Sequence, residues 1–315
     1  MRIVDVHSHM LPPSYLALFD EAGVDPATID GFPQPAWSAE KALAFVDEVG
    51  IDYSVLTISS PHIHLGSDDR ACYWARRINE EFADFCSAHP DRFGFCAVLP
   101  TPCVDESIEE ARRALDDLDA LGVKIPSNAC GVYAGDNRFE PLYDFLDGRE
   151  AVVIIHPNAP QDIPGGCFTT GPKPLFEFVV DTTRTVLDLI TSGTLARHPH
   201  LKVVVPHAGS YLPLVAARLA GISRVLVPAG MMEPVDVDEE IDHLWFDIAG
   251  DIFPTGLPAL LSIANPRHVM FGADYPYTPA PLIAARNEQL QTCTELDGIR
   301  DDVMHANAER LFNLR

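Results

Sequence analysis

Five ionisable side chains each follow a short apolar segment of the sequence. His7 and His9 follow the first of these segments, His156 and His207 follow two in the middle of the chain, and Asp274 follows the last. Three of these four imidazoles together with the carboxylate would suit a borderline divalent ion such as Zn²⁺, and Mn²⁺ accepts the same donors. This set of residues therefore indicates a metal centre that keeps one position open for water or substrate.

A single histidine after a buried strand more often has a structural role than a ligand role. The metal interpretation therefore depends on several such residues reaching the same end of the fold. His7 and His9 meet this condition locally, because residues two apart in an extended chain point to the same side.

Eight short apolar segments, which alternate with longer segments of helical period, must position these residues. The predicted strands are 3–6, 53–58, 93–99, 123–125, 152–155, 202–205, 244–248 and 268–271. The predicted helices include 39–49, 71–88, 107–121, 174–192 and 212–219. Eight strand–helix repeats predict an α/β fold of the (β/α)8 TIM barrel type. A doubly wound open sheet is the alternative, but it usually carries a Gly-rich loop where this chain has HSHMLPP.

Catalytic residues of such barrels lie at the C-terminal ends of the strands. All five ionisable side chains follow predicted strands, so barrel closure would bring them to one rim. The 315 residues fit one barrel domain. A small insertion near 221–242, rich in Val, Met and Pro, interrupts the alternation. Packing against a partner, covering the mouth of the barrel and an ordinary surface loop are the roles open to it.

Composition and charge exclude several classes of partner. Lys and Arg number 22 against 46 Asp and Glu, which gives a formal net charge of -24 and disfavours nucleic acid and anionic membranes as partners. The N-terminal segment lacks a signal-peptide pattern, and no apolar run approaches the length of a membrane span. Seven cysteines without a C-x-x-C pair indicate reduced thiols. We therefore predict a cytoplasmic protein.

Four motifs carry a resemblance to a known family. The segments DVHSHMLPP, VVIIHPNAP, VVVPHAGSYLP and MFGADYPY resemble signature elements of the amidohydrolase superfamily. Their order and spacing are similar to the branch that contains aminocarboxymuconate-semialdehyde decarboxylase. Within that branch, LTISSPHIHLG, DGFPQPAWS and the stretch from DTTRTV to SYLP are most similar to 6-methylsalicylate decarboxylases.

The resemblance implies an amidohydrolase-type barrel with one divalent metal, bound by His7, His9, His156 and Asp274. It also implies that His207 is a catalytic histidine beside the metal. The activity implied is nonoxidative decarboxylation of an aromatic, ortho-hydroxybenzoate-like, or unsaturated carboxylic acid by a homodimer. Some relatives open lactones or amides, so a metal-hydroxide hydrolase is the alternative. A noncatalytic metal-binding barrel is disfavoured, because all the expected ligands and His207 are present.

The chemistry of such a decarboxylase can be stated from these parts. A phenolic acid with its hydroxyl ortho to the carboxylate can bind the ion through both oxygens. Loss of CO2 from an arene first needs a proton on the carbon that bears the carboxylate, because direct loss would leave an aryl anion. Asp274 is the candidate proton donor, taking its proton when the phenolic substrate binds, and His207 can assist that transfer.

For Lys124 and the predicted substrate contacts, the sequence allows more than one role. Lys124 lies on the fourth predicted strand, where two-metal amidohydrolases carry a carboxylated lysine that bridges two ions. The branch resemblance favours a single ion and leaves Lys124 as a salt-bridged pocket residue. The predicted substrate contacts are His64, Arg184, Phe168 and Tyr277, and for each of them an ordinary structural role is the alternative.

Overall fold

The structure is a computed structural model that describes residues 2–163 and 171–314. Its strands are β1 (Val4–His9), β2 (Tyr53–Thr57), β3 (Phe93–Val98), β4 (Gly122–Pro126), β5 (Asn128–Ala129), β6 (Val132–Tyr133), β7 (Val152–His156), β8 (Lys202–Val205), β9 (Trp245–Asp247) and β10 (Val269–Met270). Eight of them form one parallel sheet in the order β1-β2-β3-β4-β7-β8-β9-β10. The strands β5 and β6 form a separate antiparallel hairpin. The eight predicted strands are confirmed, whereas the hairpin was not predicted.

Backbone hydrogen bonds close the sheet into a barrel between its first and last strands. The amide of Val6 donates to the carbonyl of Phe271 at 3.0 Å, and the amide of His9 donates to Tyr275 at 2.7 Å. The amide of Asp274 donates to the carbonyl of His7 at 2.6 Å. The prediction of a (β/α)8 barrel is therefore confirmed, and barrel closure brings the residues after β10 beside the end of β1.

Helices surround this barrel. They are α1 (Pro13–Ala22), α2 (Pro26–Asp30), α3 (Ala39–Val49), α4 (Asp68–Ala88), α5 (Val104–Asp117), α6 (Glu140–Asp147), α7 (Glu177–Thr191), α8 (Thr194–Arg197), α9 (Leu212–Leu226), α10 (Val237–His243), α11 (Gly256–Leu261), α12 (Ala280–Thr292) and α13 (Asn307–Phe312). The segment 221–242 holds the end of α9, a connecting loop and most of α10. Within the described residues, no helix is long and apolar enough to cross a bilayer.

Two apolar clusters form the core. The smaller cluster contains side chains of β1, β2, β3, β7, β8, β9, β10 and α13. Its members include Val6, Val55, Ile154, Met270 and Phe312. A cluster shared by so many barrel strands fills the barrel interior. The second, larger cluster lies between the strands and the surrounding helices. Because apolar side chains fill the interior, polar chemistry is confined to the end of the barrel where the strands terminate.

Candidate metal centre and active site

A β-bulge at the end of β1 turns its two histidines into the site. The pairing of β1 with β2 changes register between Asp5 and Ser8, so Val6 joins the interior cluster while His7 and His9 lie at the rim. The buried Asp5 carboxylate accepts hydrogen bonds from the amide of His7 at 3.0 Å and the amide of Ala273 at 2.9 Å. Asp5 thereby fixes the bulge against the strand that closes the barrel.

The predicted ligands converge at one place. Donor atoms of His7, His9 and His156 lie within 4.8 Å of one another, and so do those of His7, His207 and Asp274. Because both groups share His7, they describe a single cluster. Its ring centroids are 5.0 Å apart for His7 and His9, and 4.8 Å apart for His9 and His156.

Each of the three proposed ligand imidazoles has its Nδ1 atom tied to an oxygen. The partner of His7 is Asp247 Oδ2 at 2.8 Å, that of His9 is Thr57 Oγ1 at 3.2 Å, and that of His156 is the carbonyl of Pro157 at 2.9 Å. A ring that donates through Nδ1 keeps a lone pair on Nε2. The Nε2 atom of His7 is buried and has no hydrogen-bond partner. This arrangement fits a divalent cation held by three Nε2 atoms.

Asp274 faces this cluster with one oxygen and His207 with the other. Its Oδ1 lies 3.2 Å from Nε2 of His9 and 3.7 Å from Nε2 of His7. Its Oδ2 lies 3.9 Å from Nε2 of His207, too far for a hydrogen bond but close enough for a small rotation to make one. Asp274 can therefore bind a cation and exchange a proton with a reacting molecule or with His207.

Burial and neighbouring charges set the protonation of the cluster. Burial lowers the pKa of His9 to about 4 and lowers that of His156 well below its ordinary value, so both rings are neutral. Burial has the same effect at His7, but the charge and hydrogen bond of Asp247 outweigh it and raise the pKa of His7 to about 9. Burial disfavours ionised Asp274, yet its close contact with Nε2 of His9 and the nearby imidazoles lower its pKa to about 2. The cluster therefore attracts positive charge, either a proton or a metal ion.

A cavity of about 580 Å³ opens beside the cluster and is lined by His156, His207 and Asp274. One side is polar, with Asp30, Gln34, Ser59, Ser60 and Tyr277, and the other is largely apolar, with Leu175, Phe178, Tyr211, Leu214 and Ile252. None of the described lining residues is Lys or Arg. Residues 164–170 contain neither residue type.

Sequence and structure comparisons assign the chain to a family. Residues 4–314 match the family described as amidohydrolase. The chain belongs to the amidohydrolase family. A decarboxylase of Penicillium terrestre is 32% identical, over 99% of this chain and 95% of its own length. A 6-methylsalicylic acid decarboxylase of Aspergillus aculeatus is 31% identical, over 98% of this chain and 95% of its own length. These matches confirm the resemblance to the decarboxylase branch.

Solved structures show the same fold. A crystal structure of an amidohydrolase II protein superimposes with a TM-score of 0.93 at 33% identity, covering 99% of both chains. The 5-carboxyvanillate decarboxylase of Novosphingobium aromaticivorans, complexed with manganese and 4-hydroxy-3-methoxy-5-nitrobenzoic acid, superimposes with a TM-score of 0.89 at 23% identity. That match covers 99% of this chain and 96% of the neighbour, and it supports the fold alone. The amidohydrolase barrel is therefore established.

Lys124 of this amidohydrolase has a backbone carbonyl, not a candidate metal donor, as its described hydrogen-bond partner. Its side chain is almost fully buried on β4, and its Nζ lies 3.5 Å from the carbonyl of Ser59. Burial lowers the pKa of Lys124 to about 7, although the carboxylate of Asp30 opposes that shift. Burial likewise raises the pKa of Asp30 to about 7. The charges of Lys124 and Asp30 thus oppose the shifts that burial causes in each other's pKa. The candidate metal donors form a single cluster.

Of the predicted substrate contacts, one lines the cavity, two lie elsewhere in the structure, and one lies outside the described residues. Tyr277 lines the cavity and hydrogen-bonds to Gln34. His64 is not among the described residues that line it, because its ring lies between Asp68 and Cys130. Arg184 is also not brought there. Its guanidinium is half-exposed and contacts Tyr133 and Asp181. Phe168 lies outside the described residues.

Asp247 is the site residue that sequence reasoning missed. Besides the imidazole of His7, it accepts hydrogen bonds from the amides of His207 and Ala249, each at 3.0 Å. Its only sequence signal was an acidic residue inside the seventh apolar segment. Asp247 therefore orients the imidazole of His7 and the loop that carries His207 together.

Replacing Asp247 with Asn should weaken metal binding by about 10- to 100-fold, because His7 loses the acceptor that fixes its tautomer and orientation. Competition against a chelator of known affinity measures this change. Asp251→Asn is the matched control, since Asp251 lies on the same loop, is exposed and has no contact with the cluster among the described hydrogen bonds. Equal metal affinity of Asp247→Asn and the parent enzyme would contradict this role.

Proposed function

We propose that the chain is a metal-dependent, nonoxidative decarboxylase of an aromatic acid with a hydroxyl ortho to the carboxylate. The observation that carries this proposal is the position of Asp274 at the wall of the cavity, where one carboxylate oxygen faces the imidazole cluster and the other faces His207. The decarboxylases of Penicillium terrestre and Aspergillus aculeatus, similar to this chain over nearly its full length, support the same reaction class.

His7, His9, His156 and Asp274 would hold the metal. When bound there, a divalent cation supplies the positive charge that neutralises and orients the substrate carboxylate and the adjacent phenolic oxygen. This role is needed because the described lining residues include no Lys or Arg, while Asp30, Asp251 and Asp274 are all acidic.

The proton steps belong to Asp274 and His207. Asp274 is ionised in the free site, because its pKa is low, so the proton that it later donates must come from the substrate. The phenolic hydroxyl becomes acidic enough to give its proton to Asp274 when a cation is held beside its oxygen. Asp274 then donates this proton to the ring carbon that bears the carboxylate. The bond from that carbon to the carboxylate breaks, its electron pair restores the aromatic ring, and CO2 leaves. His207, next to the second oxygen of Asp274, assists the proton transfer.

The residues that line the cavity favour one class of substrate. A second carboxylate on the ring would lie without a cation partner and near acidic side chains, and burying an unpaired charge is costly. The apolar side, with Phe178, Leu214 and Ile252, suits a ring carrying an alkyl group. We therefore favour a monocarboxylic acid, with Tyr277 as a ring contact. The substrate contacts predicted for His64, Arg184 and Phe168 remain predictions.

The reaction class is tested with metal-loaded enzyme and a matched set of acids. We expect CO2 release from 2-hydroxybenzoates, much weaker binding of benzoates that lack the hydroxyl, and poor turnover of acids with a second ring carboxylate. In deuterated water, mass spectrometry should find deuterium at the carbon that lost CO2, because Asp274 delivers a solvent-exchanged proton. Opening of lactones or amides without CO2 release from any hydroxyarene acid would instead favour the hydrolase.

The identity of the metal is a separate proposal. We assign Zn²⁺ first, because three imidazoles and one carboxylate are typical zinc donors, and Mn²⁺ second. The manganese in the Novosphingobium aromaticivorans decarboxylase supports the second assignment. Metal analysis of enzyme purified without added metal distinguishes the two, and more than a single ion per chain would contradict the single-metal site.

We further propose a homodimer of single-domain chains that acts in the cytoplasm. The six described cysteines are free thiols, which suits a reducing compartment. Support for the dimer comes from large exposed apolar side chains in the segment 221–242, with Val225 68% and Met231 74% exposed.

Replacing both Val225 and Met231 with Asp should convert the dimer to monomer, because each charge would be buried in the interface. Light scattering of the purified protein measures the mass. Leu282→Asp is the control, since Leu282 is 61% exposed on α12 and should leave the dimer intact. A monomeric parent protein would contradict the assembly.

A further inference from the structure

Cys130 lies at the turn of the β5–β6 hairpin, outside the cavity. It is the one exposed thiol among the six cysteines that the structure describes. Its φ of 51° and that of the following Gly131, 78°, place both residues in the left-handed region that a tight hairpin turn requires. This turn holds the thiol against the loop that follows β2.

That loop presents an imidazole to the thiol. The Sγ atom of Cys130 lies 3.1 Å from Nδ1 of His64. The other ring nitrogen of His64, Nε2, lies 2.8 Å from Oδ1 of Asp68 at the start of α4. Sulfur, imidazole and carboxylate therefore form a continuous chain of contacts contributed by three separate elements.

The tautomer of His64 follows from its neighbours. Asp68 accepts only from a protonated Nε2, and the amide of Gly66 donates to Nδ1 at 3.2 Å, so Nδ1 carries the lone pair. The thiol of Cys130 is then the donor and Nδ1 the base. The hydrogen bonds with Cys130 and Asp68 together outweigh partial burial and raise the pKa of His64 to about 9, so an imidazolium formed there is stable at neutral pH.

We infer that Cys130, His64 and Asp68 form a surface thiolate site that reacts with soft electrophiles and peroxides, separate from the metal centre. An exposed cysteine paired with a cationic imidazole has the environment of reactive protein thiols. Cys86 and Cys103 differ from Cys130, since burial raises the pKa of each to about 12 and keeps those thiols protonated.

The reaction steps balance with the groups present and one named reagent. The thiol proton passes to Nδ1 of His64, and the sulfur lone pair attacks the electrophile. With iodoacetamide, a bond from sulfur to the methylene carbon forms, the carbon–iodine bond breaks and iodide leaves. With hydrogen peroxide, a sulfur–oxygen bond forms and the oxygen–oxygen bond breaks. The departing hydroxide then takes the proton from His64 as water, leaving a sulfenic acid.

The test is alkylation of the metal-loaded enzyme with iodoacetamide at pH 7, followed by peptide mass spectrometry over time. Cys130 should react at least about tenfold faster than the partly exposed Cys293, which has no histidine among its described hydrogen-bond partners. His64→Gln should slow alkylation of Cys130 by about tenfold, and Asp68→Asn should slow it less. Cys293→Ser is the control and should leave the rate at Cys130 unchanged.

The pH dependence of the alkylation rate shows whether His64 activates Cys130 or whether the thiol is merely exposed. The groups near this thiol and its imidazole are Asp68 on α4, His62 on the loop that carries His64, and Cys103, which precedes α5 and hydrogen-bonds to Asp68. The His64→Gln variant should need a higher pH than the parent enzyme to reach the same alkylation rate at Cys130, because the imidazole that takes up the thiol proton is gone. Equal rates at Cys130 and Cys293, or a Cys130 rate and profile unchanged by His64→Gln, would overturn the proposal.

Discussion

Asn in place of Asp274 is expected to lower kcat for decarboxylation by about 10³-fold, since general acid–base groups contribute about 10²- to 10⁴-fold. Asn has the same shape, and the positive φ of 61° at this position is one that Asn tolerates. It cannot carry the proton from the phenol to the ring carbon. Stopped assays of CO2 release, at saturating substrate and a saturating concentration of the metal that the parent enzyme uses, measure the change.

Asp274 also contacts the ligand imidazoles, so proton transfer must be separated from metal loss. Metal content and the affinity for a nitro analogue of the substrate should therefore be measured on the same preparation. Asp251→Asn is the matched control, because Asp251 also lines the cavity and its change should alter kcat by less than about threefold. A metal-loaded Asp274→Asn enzyme that still releases CO2 at the parent rate would remove Asp274 as the proton donor.

Replacing His207 is expected to lower kcat by about 10²-fold while metal content stays equal to that of the parent enzyme. The reason is geometric: His207 faces Oδ2 of Asp274, whereas Oδ1 faces the imidazoles of His7 and His9. His207 has a φ of 57°, so Asn, which tolerates the left-handed region, tests the side chain with less backbone strain than Ala.

The control for this variant is His200→Asn, an exposed histidine whose change should leave turnover intact. Metal analysis and thermal unfolding show whether the His207→Asn enzyme keeps its ion and its fold. Turnover at the parent rate would exclude His207 from the mechanism. A parallel loss of metal and activity would instead make His207 a ligand.

The sequence by itself determined the barrel and which candidate donor side chains meet at its rim. Strands such as β7 and β8 are continuous apolar runs, and a run buried on both faces leaves a signal that depends on no distant residue. His7, His9, His156 and Asp274 each follow such a run, so strand order and barrel closure alone bring them to one rim. The two-residue strands of the hairpin gave no comparable signal.

Only the tertiary structure decided what surrounds that centre. Asp247 orients His7 across 240 residues of chain, and no local pattern encodes a contact of that range. His64 and Arg184 have suitable residue types near suitable strands, yet the closer carboxylates of Asp68 and Asp181 hold their side chains. A charged group pairs with whichever partner the packing brings nearest, so residue type and strand position define the metal centre, while packing defines the walls of the cavity and the thiol site beside it.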